Sequence, residues 1–206
     1  MGPDRRLLAT RAGTINRARR HVLWGKSPGK ILVAFSLLAM LLPHGVKADD
    51  ESLELAVKAA FITKFEPFVG WPAGVLAGPG GVFLICLAGR DPFGDLLDRA
   101  ADHLSVSGRT VVIQRLVVVT RGSGCQVLYA AGSPIQPVAD MLAAVRGTPV
   151  LTLTDKAPDP KSRGMVNFII SDNRVRFEID EAAAEQSSLT ISSKLLSLAA
   201  RVTGGR

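Results

Sequence analysis

For chemistry, this chain of 206 residues offers three histidines, two cysteines and a scatter of Ser, Asp and Arg. His21 and His44 fall in an N-terminal stretch that reads as a targeting segment, which leaves His103. One histidine cannot build a multi-histidine zinc site. A Ser–His–Asp arrangement would have to bring His103 to Ser133 or Ser192, and nothing in the spacing argues for that. No CxxC, GxSxG or Walker pattern is present. The GPGG at 78–81 precedes a strand instead of joining a strand to a helix, the wrong setting for a phosphate cradle. These residues point to no catalytic site, no metal and no cofactor. His103 reads as a solvated residue at a helix C-terminus, where its charge suits the helix dipole.

The residues suggest binding more than catalysis. GRDPFG (89–94) follows a strand and opens a helix, a place where an anion can sit. Asp91 would repel an anion, however, and Asp91 as N-cap with Pro92 as first helical residue explains the stretch by capping alone. Arg90, Asp91, Ser133 and Asp155 all fall at the carboxyl ends of expected parallel strands. Open α/β sheets bind ligands there, so these four are the candidate pocket of a small-molecule receptor. Arg174, Arg176 and Glu178 line the wet face of a late strand, either as a solvated face or as a partner-binding patch. Phe61, Phe65, Phe68 and Trp71 recur at i, i+4, i+7 and i+10. Phe61 and Phe65 read as core. Phe68 and Trp71 lie beyond a helix break at Pro67 and are candidates for an exposed patch that meets a partner. A membrane face is disfavoured because little basic charge surrounds the stretch. Cys86 and Cys125 are 39 residues apart. They read equally as a disulfide, stabilising by about 4 kcal/mol in the chain-entropy model, or as two buried thiols on neighbouring strands.

The elements that position these residues follow from hydrophobic period. Glu54–Phe68 reads as a helix that ends or kinks near Glu66, because Pro67 removes a donor and biases its predecessor away from helical angles. VFLICLA (82–88) is an apolar run suited to a strand buried on both faces. A helix is expected from Pro92 to about His103, strands over 109–116, 126–131 and 148–154, and a helix from about Gln136 to Val145. MVNFIIS (165–171) and RVRFEID (174–180) flank Asp172-Asn173 as a hairpin. Helices are expected from about Asp180 to Gln186 and from about Ser192 to Val202. The pattern predicts an α/β sandwich: a mixed, mainly parallel sheet flanked by helices, with a C-terminal β-hairpin.

Residues 1–48 read as a secretory signal peptide, with a basic segment, the short apolar run ILVAFSLLAMLL (31–42), and Val46-Lys47-Ala48 before Asp49. Residues 49–206 then form a single exported domain. Of the 25 Lys+Arg and 18 Asp+Glu, nine and one fall in residues 1–48. The other 158 residues carry 16 and 17, a net charge of −1. The high pI therefore belongs to the targeting segment, and net charge gives no support to nucleic-acid binding.

Seven ordered segments carry a resemblance: VKAAFITKFEPFVGWP (57–72), ICLAGRDPFGDLL (85–97), GRTVVIQRL (108–116), GCQVLYAAGS (124–133), RGTPVLTLTD (146–155), GMVNFIISDNRVRFEID (164–180) and LTISSKLLSLAARV (189–202). With these the chain resembles the YfiR-like family of small periplasmic regulators. The resemblance implies a compact α/β sandwich that tends to dimerise and is not an enzyme. It implies a periplasmic protein that binds the sensor portion of an inner-membrane diguanylate cyclase and represses it. It also implies an intradomain disulfide, here Cys86–Cys125. The chain departs from the family pattern at Pro67, where the first helix usually continues, and at Gly70, where an acidic residue usually precedes Trp-Pro. A second cysteine pair seen in some members is absent.

Overall fold

Val82–Gly89 (β2) is apolar throughout and turns alternate residues to opposite layers. Phe83, Ile85 and Leu87 join one buried cluster; Cys86 and Ala88 join the other. A strand with no wet face must lie inside a sheet covered on both sides, and β2 does so in the computed structural model, which describes residues 46–76 and 81–205. The expected signal peptide lies outside the described residues except at its end. There helix α1 (Val46–Lys64) runs across the expected cleavage position after Ala48. The GPGG loop also lies outside them, save Gly81.

After α1 come a 3₁₀ turn at Glu66–Phe68, β1 (Val69–Gly70) and β2, then α2 (Leu96–Ala101), β3 (Ser105–Val106) and β4 (Arg109–Leu116). The second half adds β5 (Val127–Gly132), α3 (Val138–Val145), β6 (Leu151–Asp155), β7 (Val166–Ser171) and β8 (Arg174–Asp180). The chain closes with α4 (Glu181–Gln186), β9 (Thr190–Ile191), α5 (Ser193–Leu198) and β10 (Arg201–Thr203). One eight-stranded sheet runs in the order β10-β8-β7-β6-β5-β2-β4-β3. From β4 across to β7 every pairing is parallel. The hairpins β7–β8 and β3–β4 are antiparallel, and β10 returns parallel to β8. β1 and β9 form a separate antiparallel pair. This is the expected mixed, mainly parallel sandwich.

Two layers cover the sheet. α1, α2, α4 and α5 contribute Ile62, Leu97, Ala184 and Leu195 to the larger cluster, beside Phe65 just after α1 and Phe168 and Phe177 of the hairpin. Phe65 stacks on Phe168 and meets Phe177 edge-on, with centroids 6.1 and 5.5 Å away. α3 covers the other face with Met141 and Val145.

Several boundaries differ from the sequence expectation. α1 stops at Lys64 and the Pro67 region becomes the 3₁₀ turn. α2 starts at Leu96, not Pro92, because Gly94 at φ +53° interrupts the helical path and Asp91 caps a turn instead. β6 starts at Leu151, after Pro149, which has no N–H for the ladder. The last helix ends at Leu198, since Ala199 is extended and the Ala200 N–H donates to the Phe177 carbonyl (2.8 Å), starting β10. The hairpin turn is as expected, with Asp172 and Asn173 both left-handed at φ 52° and 56°.

Cys86 and Cys125 are joined, with Cα atoms 5.8 Å apart. The bond ties β2 to the segment entering β5, inside the smaller cluster.

Candidate functional site

The strand order β4-β2-β5-β6-β7 is the 2-1-3-4-5 winding whose ligand crevice lies outside the carboxyl ends of its first and third strands. Here those ends are Gly89 and Gly132, and they touch. A Cβ on Gly89 would stand 2.2 Å from the Gly132 carbonyl oxygen, and the Arg90 N–H donates to that same oxygen (3.0 Å). Backbone contact fills the crevice, and the open space lies to one side, between the start of α1, the β6 end and the tip of the hairpin.

That space is a cleft of about 900 Å³. Leu53, Leu55, Val57, Phe61, Pro92, Ile170 and Val175 give it apolar walls. Acids from α1 and the cations Arg90, Lys156 and Arg174 stand around them. Leu53 is 64 % exposed and Ile170 40 %. A smaller cleft of about 410 Å³ shares Arg90, Pro92, Asp155 and Lys156 and is backed by Tyr129. Burial, then the negative charges of Asp155, Glu54 and Asp91, push the Tyr129 hydroxyl well above its ordinary range.

An ion cluster fixes the wall between α1 and β6. Lys58 sits on the buried face of α1 with no exposed surface. Its ammonium reaches Asp155 at the end of β6 (2.6 Å) and Glu54 one turn back (2.5 Å), and Lys156 also binds Glu54 (2.8 Å). Two cations and two carboxylates leave the cluster neutral, which is what allows an ammonium to be buried. Partial burial raises the Glu54 carboxyl, but hydrogen bonds from Lys156 and Lys58, with their charges, outweigh it and hold the group below its usual range. The hydrogen bond to Glu54 raises Lys156 in turn. Asp155 keeps one buried oxygen, Oδ1, with no hydrogen-bond partner.

Of the four residues expected to form a ligand pocket, the structure brings two together. Arg90 and Asp155 line both clefts. Asp91 is engaged elsewhere: it accepts from the Phe93 N–H (2.7 Å) and binds Arg115 (2.8 Å). Ser133 accepts from the Gln136 N–H (3.1 Å). The five expected partner-binding residues do not form one patch. Arg174 stands on the main cleft, and Arg176 on a shallow recess beside Phe61 and Leu198. Glu178 lies between Arg163 (3.7 Å) and Arg201 (3.5 Å). Phe68 is half-buried and Trp71 meets Phe83 edge-on at 5.6 Å, both against the main core. Phe65 is buried as expected, while Phe61 is half-buried and faces the cleft. His103 is exposed, just beyond α2 and 3.3 Å from Asp102. Lys58, Glu54 and Lys156 were not picked out from sequence. The available signal was Lys58, a charge at i+3 from Leu55 and i−4 from Ile62 on an apolar helix face.

Fold and cleft together define an α/β domain with an open cleft beside the carboxyl ends of its central strands. The chain belongs to the YfiR/HmsC-like family, whose sequence profile matches residues 55–200. That is a regulatory, non-catalytic family of periplasmic proteins that act in diguanylate cyclase signalling. No curated protein matches the chain. No helix among the described residues is long and apolar enough to cross a membrane.

Proposed function

We propose that this protein is an exported, non-enzymatic regulator that binds the periplasmic sensor portion of an inner-membrane diguanylate cyclase and represses it. The observation that carries the reading is the open apolar cleft between α1 and the hairpin tip in a member of this family. Leu53 and Ile170 present apolar surface there, framed by Arg90, Lys156 and Arg174. Partner segments dock on surfaces of this kind, with a desolvated apolar centre and charge at the rim. Repression requires that the protein bind one signalling state of the cyclase more tightly than the other. Arg174 and Arg176 belong to the proposed contact surface. Phe68, Trp71 and Glu178, held by their own chain, are secondary candidates.

The test is crosslinking and recovery of the tagged protein from its own envelope, with and without reductant. The expected result is co-recovery of an inner-membrane protein with a periplasmic sensor and a cytoplasmic cyclase domain, lost in Leu53→Arg. Recovery of the protein alone would overturn the reading. The juxtaposition of Arg90 and Asp155 favours one second reading, a small-molecule receptor. The cleft volume suits that role, and a ligand that binds only the folded state would raise the melting temperature.

A further inference from the structure

Two polar groups in the wall of the smaller cleft, one from β5 and one from β6, have no partner in their own chain. Tyr129 is 2 % exposed, and its ring meets Phe93 edge-on at 4.9 Å. A buried tyrosine hydroxyl usually finds a hydrogen-bond partner. Among the described residues this one has none. Asp155 gives one oxygen to Lys58, and its other, Oδ1, is also without a partner. A position that needed only the ring would be filled as well by phenylalanine, so the hydroxyl has a use outside the fold itself. The charges around the cleft narrow that use. Asp155, Glu54 and Asp91 place the Tyr129 hydroxyl in a negative field, which opposes an anion at the back. Arg90 and Lys156 stand exposed on the lining and oppose an incoming cation. The carboxylates are already matched, Asp155 by Lys58, Glu54 by Lys58 and Lys156, and Asp91 by Arg115.

We propose that this cleft binds a neutral sugar of one or two rings, held by Tyr129, Asp155 and Arg90. What the cleft offers is uncharged hydrogen bonding of both kinds. The Tyr129 hydroxyl and the Arg90 guanidinium, which makes no hydrogen bond within its own chain, can donate. Asp155 can accept. A hydroxyl group does both, and a sugar ring carries several of them on one frame. Pro92, Ala131, Val138 and Pro158 supply apolar wall for the C–H face of such a ring. The volume of about 410 Å³ lies toward the small end of ligand sites, which run from about 300 to 1,000 Å³. The proposal names the ligand class for the receptor reading given above and rests on it.

The test is isothermal titration calorimetry of the purified protein with D-glucose, D-ribose and N-acetyl-D-glucosamine, beside acetate, glycine and inorganic phosphate. The expected result is saturable heat with at least one sugar and none with the three ionic probes. Tyr129→Phe should weaken sugar binding about tenfold, the loss of one hydrogen bond. Its melting temperature should hold or rise, because no internal hydrogen bond goes with the hydroxyl. Arg90→Ala should also weaken binding and leave melting unchanged. A tyrosine with a merely structural role would give the reverse, a lower melting temperature and the same sugar affinity, and that result overturns the site. Absence of sugar binding overturns the proposal. If acetate, glycine or phosphate binds instead and Tyr129→Phe abolishes it, the receptor reading survives without the sugar. If none of the six probes binds, both fall.

Discussion

Replacing Lys58 by Met tests whether the ion cluster holds α1 to the sheet. The substitution keeps the aliphatic stem and deletes the ammonium, leaving Asp155 with neither oxygen satisfied by the helix. Breaking a buried pair from one side costs about 3–5 kcal/mol. Asp155 and Glu54 retain 25 % and 24 % side-chain exposure, through which water can partly replace the lost donor, so the lower end, about 3 kcal/mol, is expected. For a domain of this size each kcal/mol lowers Tm by about 2–4 °C, which gives a fall of about 6–12 °C in a calorimetric melt at neutral pH. Lys58→Met combined with Asp155→Asn removes the orphaned charge and should recover more than half of that loss. A single variant within 1 °C of the parent, or a double variant that merely adds a second loss, would refute the claim that the pair is a coupled unit.

Acid should weaken the same cluster. Glu54 is held below its ordinary value of 4.5, so its contribution is present above that pH and is lost as pH falls through the lower folded value. Urea midpoints measured between neutral pH and pH 3 should fall in the parent more than in Glu54→Gln. Replacing Cys86 and Cys125 together by Ala should cost about 4 kcal/mol in a denaturant titration; an unchanged midpoint would show the bond to be mechanically idle. Gly89→Ala must push a Cβ into the Gly132 carbonyl at 2.2 Å from a φ of +93°. Soluble yield should collapse, whereas Gly94→Ala, with open space around it, should fold and lose about 1 kcal/mol. Ile170→Asp on the cleft should leave stability within about 0.5 kcal/mol and still reduce recovery of the membrane partner.

The sequence was most informative where local geometry decides. Pro67 ended α1 near the expected place, the unbroken apolar run of β2 marked a central strand, and Asp172-Asn173 marked the hairpin turn. It misled where one residue had two local uses. Asp91 is as good at closing a turn as at starting a helix, and Gly94 decided between them. The end of α5 depended on a carbonyl of β8 that accepts from Ala200, which no local pattern reveals. The site was half legible for the same reason. Arg90 and Asp155 stood out as strand ends, but Ser133 was taken by its own turn. Lys58 meets Asp155 across 97 residues of chain, a contact that helical periodicity marks only as an anomaly.

That long reach has a consequence for how the chain acquires its shape. α1 comes first in the domain, yet Phe65 finds Phe168 and Phe177, and Lys58 finds Asp155, only when the far half of the chain is present. β10, drawn from the last residues, then completes the sheet beside β8. A chain delivered N-terminus first has α2 to cover part of α1 early, but the side of the helix that meets β6 and the hairpin stays bare until they arrive. Such non-local closure is intrinsically slow. Whatever compartment receives this polypeptide has to shelter α1 through that interval.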